Sequence, residues 1–438
     1  MGEHLRFVVA FQPGPGHWSR MGAITSALRQ RGHHVTLACS ESYRRRVDGA
    51  CDGFIAIGPR WEEDRLEPGG SEASGGVRDE LRNRGGKIAS FFFHSVREVS
   101  SDLARALRLR PRTDMLVLDY TLLAGAPTAE ALGLRWAAVF GLTVPFRSEG
   151  WPPFGSHFGF ARSPAIRGRY AAIERRVLRE NAALYRPLRE LWREAGRRVS
   201  DPWQIYARLG RLGIVGSIPD CDFLRPARFP GHIHYVGPLI GADSGLPALD
   251  REAVALIQSP CDRPLVHLTL GFTFSGVRAV LQTIIAALAD EPLRLMVSTG
   301  NLDPRSVRPA AGSGRARMLV RRTFPHLETM PAIDLLICHG GANTLMKALY
   351  FAVPALVIPL GGEQRSNGAR FVHARVGRML LPSQLNPAAI RREVRGLLDP
   401  AGPFQRRAEK LGQAARAAGG AGTAAALLEA ACREGPDK

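Results

Sequence analysis

The chain of 438 residues is long enough for two or three domains, and its 45% apolar residues support sizeable cores and exclude a disordered protein. No uncharged run reaches membrane-spanning length, and the apolar run at residues 7–11 is too short for a signal peptide, so we expect a cytoplasmic protein. The 59 basic and 40 acidic residues give a net charge of +19, which favours acidic partners, yet no nucleic-acid-binding signature accompanies the dispersed arginines.

The N-terminal half alternates predicted strands with predicted helices. Helices are expected near residues 20–31 and 124–132. Short apolar runs predict strands at 5–11, 33–39, 53–58, 114–120 and 135–141. Alternation of this kind builds a mostly parallel sheet with helices on both faces. We therefore expect residues 1–240 to form one doubly wound α/β domain.

Three less regular segments complete this half. Residues 60–87, rich in Gly, Glu, Arg and Ser, predict a long loop. Apolar residues recur with helical spacing from 166 to 191, which predicts a helix interrupted or kinked at Pro187. Its arginine-rich outer face is expected to be solvated, and a membrane-surface helix is the less favoured interpretation. Runs at 213–218 and 233–239 predict closing strands.

The C-terminal half begins after a stretch with a linker's composition at residues 241–262. Strands at 264–271, 293–299 and 316–322, with a helix at 277–289, open a second alternating series. A mostly helical tail follows from Pro387, and its last helix is a candidate to pack back on the N-terminal domain. The fold class is therefore α/β, with Rossmann-like doubly wound domains at 1–240 and 263–438 facing a shared cleft, where such sheets bind ligands.

A His-Gly-Gly turn follows one predicted strand of the C-terminal half. Gly340 and Gly341 let the backbone approach a ligand closely, and Asn343 and Thr344 stand where the next helix begins. Free amides and the helix dipole favour an anion there, and His339 can add a hydrogen bond or, if protonated, a charge. A glycine turn with an Asn or Thr cap is the alternative.

A second glycine turn ends the neighbouring strand with Glu363 and Gln364. Because carboxylates repel phosphates, these side chains would instead hydrogen-bond hydroxyl groups attached to the phosphate. A diphosphate beside a polyol describes a nucleotide sugar. Two exposed polar residues at a helix start are the alternative.

The segment carrying both turns, HGGANTLMKALYFAVPALVIPLGGEQRSNGARFV, resembles the donor-binding motif of family 1 glycosyltransferases. These GT-B enzymes use UDP- or dTDP-sugars, and the style is closest to bacterial members that decorate antibiotics and other natural products. The resemblance covers nearly the whole chain through VAFQPGPGHWSRMGAITSALRQRGHHVTLAC, IHYVGPL and TFPHLETMPAIDLLICHGG.

The resemblance implies donor-site roles for particular residues. His339 and the turn from Gly340 to Thr344 would hold the diphosphate, with Thr273 near the phosphates. Glu363 and Gln364 would face the sugar hydroxyls. The loop containing His326 would meet the base.

The chain departs from the family pattern at four places. Glu363 stands where Asp is common, His326 replaces a glutamine, and HWSRMG replaces the usual proline-containing start of the first helix. Lys347 stands where many UDP-sugar enzymes place a ribose-binding glutamate. Because dTDP lacks the 2′ hydroxyl, Lys347 favours a dTDP-sugar donor over a UDP-sugar; a solvated lysine is the alternative. The other departures leave base choice and acceptor geometry open.

His17 and Asp119 are the candidate catalytic residues of the N-terminal half. His17 lies in a glycine-rich loop after the first strand, and Asp119 ends another strand at the same sheet edge. An imidazole can remove a proton from an acceptor hydroxyl near neutral pH, and a carboxylate can fix its tautomer. A loop histidine and a helix-capping aspartate are the alternatives. Their joint presence, matching a His–Asp pair of the family, favours catalysis.

The expected activity is that of an inverting hexosyltransferase of EC 2.4 type, requiring no cofactor and no metal. Trp18, Phe92 and Phe140 suggest an apolar small-molecule acceptor, although such clusters are more often core. The expected partners are that acceptor and the nucleotide-sugar donor, without nucleic acid, and a membrane surface is less favoured. The chain is expected to be a monomer or a homodimer.

Three other functions stay open on the sequence. MurG-like transfer to a lipid acceptor fits the positive charge and the helical region from residue 166. A nucleotide-sugar 2-epimerase shares the architecture but should place several carboxylates near the sugar. A catalytically silent nucleotide-sugar-binding homologue fits the departures, but the presence of both His17 and Asp119 argues against it.

Overall fold

Two parallel β-sheets, one in each half of the chain, form the frame of the molecule. The computed structural model describes residues 4–59, 93, 95–110, 112–209, 211–223, 229–241, 247–260, 262–271, 277–307 and 315–434. Both sheets carry helices on their faces, so the predicted fold class is confirmed. Within these ranges no helix is long and apolar enough to cross a membrane.

The N-terminal sheet orders its strands β3-β2-β1-β4-β5-β6-β7. Its described strands are β1 (Arg6–Ala10), β2 (His34–Cys39), β3 (Gly53–Ala56), β4 (Met115–Asp119), β5 (Trp136–Phe140), β6 (Gly213–Val215) and β7 (Ile233–Tyr235). The strands are nearly continuous apolar runs, as expected of a parallel sheet covered on both faces. The order reverses between β1 and β4, so their carboxyl ends flank a topological switch point, where open α/β sheets bind ligands.

The C-terminal sheet orders its strands β10-β9-β8-β11-β12-β13. These are β8 (Leu265–Thr269), β9 (Arg294–Ser298), β10 (Arg317–Arg321), β11 (Leu335–Cys338), β12 (Ala355–Val357) and β13 (Gly377–Met379). Its switch point lies between β8 and β11. The His-Gly-Gly turn follows β11 and therefore lies at that point.

The helices follow the strands in the alternating order that the sequence predicts. In the N-terminal half they are α1 (Pro15–Gln30), α2 (Val96–Arg108), α3 (Gly125–Ala131), α4 (Pro164–Glu180), α5 (Arg186–Glu194) and α6 (Ile205–Arg208). In the C-terminal half they are α7 (Arg251–Ile257), α8 (Val277–Leu288), α9 (His326–Thr329), α10 (Ala342–Tyr350), α11 (Gln364–Ala374), α12 (Pro387–Leu398), α13 (Pro403–Ala417) and α14 (Ala421–Arg433).

Two local features differ from the sequence-based expectations. The helical region after residue 166 is interrupted at 181–185, and Pro187 lies in the first turn of α5, where its missing N–H has no helical partner to lose. The stretch expected as linker contains α7, which Asp250 caps by accepting a hydrogen bond from the Ala253 amide at 2.8 Å.

The chain crosses between the domains twice, and the two crossings lie side by side. The first crossing leaves β7 through Val236 and Gly237, and the second joins α13 to α14 through Gly419 and Gly420. The Gly420 amide donates to the Val236 carbonyl at 2.7 Å. A Cβ on Gly237 would lie 2.8 Å from the Ala415 carbonyl oxygen, so this close approach requires glycine.

The last helix, α14, packs on α1 of the N-terminal domain through a buried glutamate. The Glu429 carboxylate accepts from Arg31 Nη2 at 2.8 Å and lies 2.6 Å from His33 Nε2. Hydrogen bonding from Arg31, and then from His33, outweighs burial and lowers the pKa of Glu429 to about 2, against an ordinary value of 4.5. The ionised carboxylate therefore stabilises the fold above about pH 4.5, and that contribution is lost as the pH falls towards 2.

Glu429→Gln is expected to lower Tm by about 2–4 °C at pH 7. The Tm difference from wild type should narrow between pH 5 and pH 3, because Glu429 of the unfolded chain then binds a proton that the folded chain, with its lowered pKa, does not bind. Circular dichroism melts at pH 7, 5 and 3 measure both effects. Glu409→Gln, on the exposed surface of α13, is the matched control. A constant difference across that range would contradict the assignment.

Candidate active site

The carboxyl ends of the two sheets face each other, and side chains join them across the cleft. The side-chain amide of Asn343, in the first turn of α10, donates to the Gly16 carbonyl at the start of α1. The Thr143 hydroxyl, after β5, donates to Asn367 Oδ1 on α11 at 2.7 Å. The segment after the first strand and the His-Gly-Gly turn are therefore held opposite each other.

His17 and Asp119 form a hydrogen-bonded pair at the N-terminal switch point. His17 lies in the first turn of α1 and Asp119 ends β4, with 2.9 Å between His17 Nδ1 and Asp119 Oδ2. Asp119 is fully buried, and its Oδ1 accepts from the amide and hydroxyl of Thr121 at 2.9 and 2.6 Å. Because Asp119 Oδ2 accepts the proton on Nδ1, Nε2 is the basic nitrogen of the neutral ring.

The His-Gly-Gly turn after β11 leaves space for the imidazole of His339. Gly340 has a φ of +90°, and a Cβ there would lie 2.7 Å from Val357 Cγ1. A Cβ on Gly341 would lie 2.6 Å from His339 Nε2. The helix α10 that follows has no side chain capping its first amides, although Asn343 and Thr344 lie in its first turn. These amides and the helix dipole suit an anionic group.

Glu363 and Gln364 begin α11 at the second glycine turn, but they point in different directions. Glu363 reaches across the cleft and accepts from the hydroxyl of Tyr120, the residue after Asp119. Gln364 is buried, and its Oε1 accepts from the amides of Leu360 and Gly361 at 2.7 and 3.1 Å. The side-chain carbonyl of Gln364 thus stabilises the glycine turn just before it, while Glu363 lies between the two domains.

Comparisons with known proteins bear on this arrangement. Residues 276–420 match the glycosyltransferase family 28 C-terminal domain. The chain is 26% identical to 4′-demethylrebeccamycin synthase of Lentzea aerocolonigenes, over 90% of this chain and 92% of that protein. It is 25% identical to zeaxanthin glucosyltransferase of Pantoea ananas, over 97% and 95%.

Solved structures of glycosyltransferases share the fold of this chain. The calicheamicin glycosyltransferase CalG4 superimposes with a TM-score of 0.70 at 20% identity, covering 99% of this chain and 100% of the other. The glycosyltransferase VinC in complex with dTDP superimposes with a TM-score of 0.65 at 17% identity, covering 98% and 100%. The chain is a glycosyltransferase of the GT-B fold. The predicted enzyme class is confirmed.

A third residue of the glycosyltransferase, Arg20, contacts the His17–Asp119 pair, and the sequence analysis did not single it out. Arg20 is only 4% exposed, and its Nη2 lies 2.5 Å from Asp119 Oδ2 and 3.0 Å from His17 Nδ1. Arg20 follows His17 by three positions, which puts the two on one helical face, and this spacing was the available signal. It lies within the HWSRMG segment that departs from the family pattern.

The electrostatics of the glycosyltransferase keep Asp119 ionised. Burial acts to raise the pKa of Asp119, but the charge of Arg20 and the contact with His17 outweigh it and hold the pKa well below its usual range. The same pairing outweighs burial for Arg20 and raises the pKa of its guanidinium. Asp119 therefore remains a buried anion shared by an imidazole and a guanidinium.

The proposed base-binding side of the glycosyltransferase contains neutral histidines and a buried lysine. Burial lowers the pKa of His339 to about 4, so this ring is uncharged at neutral pH, and its Nδ1 has no partner among the described residues. Burial, then Lys347 and His339, lowers the pKa of His326 to about 3. Lys347 is 6% exposed, which excludes a solvated lysine. Thr273 lies outside the described residues.

Of the three residues expected to contact the acceptor, the structure describes Trp18 and Phe140. Trp18 is half-buried and stacks on Phe11 with 5.7 Å between ring centroids. Phe11, and not Trp18, lines a pocket together with Gln12, Ile57 and Leu122. Phe140 is fully buried on β5 among core aromatic rings, and its role as an acceptor contact stays a prediction. Phe92 lies outside the described residues.

Proposed function

We propose that this glycosyltransferase moves a sugar from a nucleotide-diphosphate donor to a hydroxyl group of a small, apolar natural product, with inversion at the anomeric carbon. The observation that carries the proposal is the His17–Asp119 pair, which faces the uncapped start of α10 across the cleft and is tied to it by Asn343 and Gly16. The names of the related proteins support the natural-product acceptor.

The reaction is a single displacement. His17 Nε2 takes the proton of the acceptor hydroxyl as its oxygen bonds to the anomeric carbon from the face opposite the diphosphate. The bond from that carbon to the diphosphate oxygen breaks, and the nucleotide diphosphate leaves with the electron pair. Asp119 stabilises the imidazolium that forms. The amides at the start of α10 and the neutral His339 ring hydrogen-bond the developing charge on the leaving group.

The proposal includes no metal and no other cofactor. The described residues hold no cluster of three or more histidine, cysteine, aspartate or glutamate side chains able to bind a metal ion. The metal independence of the reaction stays a prediction, as do the cytoplasmic location and the oligomeric state.

The preferred donor in this proposal is a dTDP-sugar. Lys347 is buried next to His326 and cannot grasp ribose hydroxyls as a carboxylate does. A deoxyribose lacks the 2′ hydroxyl, so it loses fewer hydrogen bonds when a lysine stands in place of that carboxylate. The dTDP complex of a structurally similar glycosyltransferase supports the same nucleotide.

Thermal unfolding with dTDP, UDP, GDP and no ligand tests the donor site. Nucleotide at about 100 times its Kd should stabilise the folded chain by about 2.7 kcal/mol, and at equal concentrations dTDP should raise Tm most. Gly341→Ala should abolish the shift, because its Cβ would overlap the His339 ring. Gly133→Ala is a glycine control at another surface turn. A larger UDP shift would refute the dTDP preference, and no shift with any nucleotide would refute the donor site.

A second candidate, transfer to an acceptor held in a lipid surface, is favoured by one observation on α4. This helix has no buried residue, and it exposes Ile166, Ile173 and Val177 at 39, 37 and 42% beside several arginines. An exposed apolar stripe flanked by positive charge suits an anionic interface. Flotation with vesicles containing phosphatidylglycerol would support this candidate, and its absence would remove it.

A further inference from the structure

Arg20 is a buried charge whose position is specified from several directions. Its side chain extends from α1 to Asp119 and passes Gly141, after β5, where a Cβ would be in ordinary van der Waals contact with Arg20 Nη1 at 3.4 Å. Its Nε is buried without a partner among the described residues. A guanidinium removed from water is costly unless a carboxylate compensates it, and Asp119 provides that compensation.

The contact also places Arg20 against the imidazole. Asp119 Oδ2 accepts hydrogen bonds from both His17 Nδ1, at 2.9 Å, and Arg20 Nη2, at 2.5 Å. Two donors therefore converge on one oxygen atom. These two nitrogen atoms are 3.0 Å apart. The Asp119 carboxylate favours the protonated imidazole, whereas the adjacent positive charge of Arg20 opposes it.

Among the described residues, the other titratable groups around the pair are uncharged at neutral pH, with one exception. Burial raises the pKa of Cys39, at the end of β2, and of Tyr206 on α6, and burial followed by Glu363 does so for Tyr120. The exception is Glu363, which belongs to the opposite domain and accepts from the Tyr120 hydroxyl. The balance of charge at the imidazole is therefore set mainly by Asp119 and Arg20.

We propose that Arg20 is a positioning residue that keeps His17 unprotonated until the acceptor hydroxyl delivers its proton. It does so by sharing the Asp119 carboxylate with the imidazole and by placing a fixed positive charge beside it. The proposal rests on the role of His17 as the base in the proposed function. A purely structural ion pair would also explain the burial of Arg20, but it would not alter the protonation of His17.

The test is an NMR titration of the histidine side chains in the full chain, without donor or acceptor. The resonance lost in His17→Gln identifies His17. In Arg20→Met its titration midpoint should move to higher pH by about one unit or more, because a like charge has been removed. Arg20→Gln, which still donates to Asp119 without a charge, should move it in the same direction. Arg20→Lys and Arg29→Met, the latter altering an exposed arginine of the same helix, should leave the midpoint near wild type.

Two outcomes would overturn the proposal: an unchanged midpoint in folded Arg20→Met or Arg20→Gln, or an equal rise in Arg20→Lys. If Arg20→Met does not fold, as thermal unfolding will show, Arg20→Gln and Arg20→Lys decide the question. The titration needs no knowledge of the substrates, so its failure differs from failure of the proposed function, in which His17→Gln would retain transferase activity. The low-pH limb of the kcat/KM profile gives a second readout and should move with the midpoint.

Discussion

Replacing His17 with alanine is expected to lower kcat by about 10²–10⁴-fold while leaving the Kd for the donor nucleotide unchanged within about twofold. In the proposed function the imidazole takes the acceptor proton, and without it the hydroxyl must attack while still protonated. The nucleotide is expected to bind on the opposite domain, at the start of α10. Initial rates at saturating substrates and calorimetry with dTDP separate the two quantities.

His34→Ala is the matched control, since His34 begins β2 at the amino edge of the same sheet, away from the cleft. It should keep the wild-type rate. A His17→Ala rate within tenfold of wild type would contradict the assignment of the base. A loss of nucleotide binding together with the rate would instead indicate that the substitution disturbs the contact between Gly16 and Asn343.

Asp119→Asn is expected to reduce the free energy of unfolding by about 3–5 kcal/mol, in addition to lowering activity. The substitution leaves the buried guanidinium of Arg20 without a counter-charge. Because the pKa of Asp119 is held below its usual range, the carboxylate contributes stability above its unfolded-state pKa and loses it only at lower pH. The difference from wild type should therefore not diminish between pH 8 and pH 5. Urea unfolding measures it.

The double variant Asp119→Asn with Arg20→Met should recover part of that loss, because the unpaired charge is removed as well. Asp48→Asn, at an exposed turn, is the control for the chemical change itself. A destabilisation below about 1 kcal/mol by Asp119→Asn would show that the Arg20–Asp119 pair does not carry a buried charge.

The proximity of His17 and Asp119 could be anticipated from the sequence because it depends on a general rule. Strands β1 and β4 are recognisable as apolar runs, and polar residues at the carboxyl ends of neighbouring parallel strands meet at one sheet edge. The position of the His-Gly-Gly turn depends on the same rule. The predicted strand at 213–218 was too long, because pairing in β6 ends at Val215 and the next residues are Gly216 and Ser217.

Other features depended on tertiary packing that no local pattern reveals. In a parallel sheet both faces are covered, so the sequence could not indicate that Phe140 is fully buried among other aromatic rings. Arginine is usually exposed, and only the buried Asp119 explains why Arg20 is not. The contact between Tyr120 and Glu363 joins residues 243 positions apart on different domains, so it leaves no periodic signal.

The paired crossings of the chain between the domains have a mechanical consequence. The two peptide segments run side by side, and the Gly420 amide donates to the Val236 carbonyl. Together they define a line between the two domains. Sliding or twisting one domain past the other would stretch one segment against its neighbour, whereas rotation about that line would not. We therefore expect the distance between His17 and the proposed donor site to vary mainly through rotation about that line.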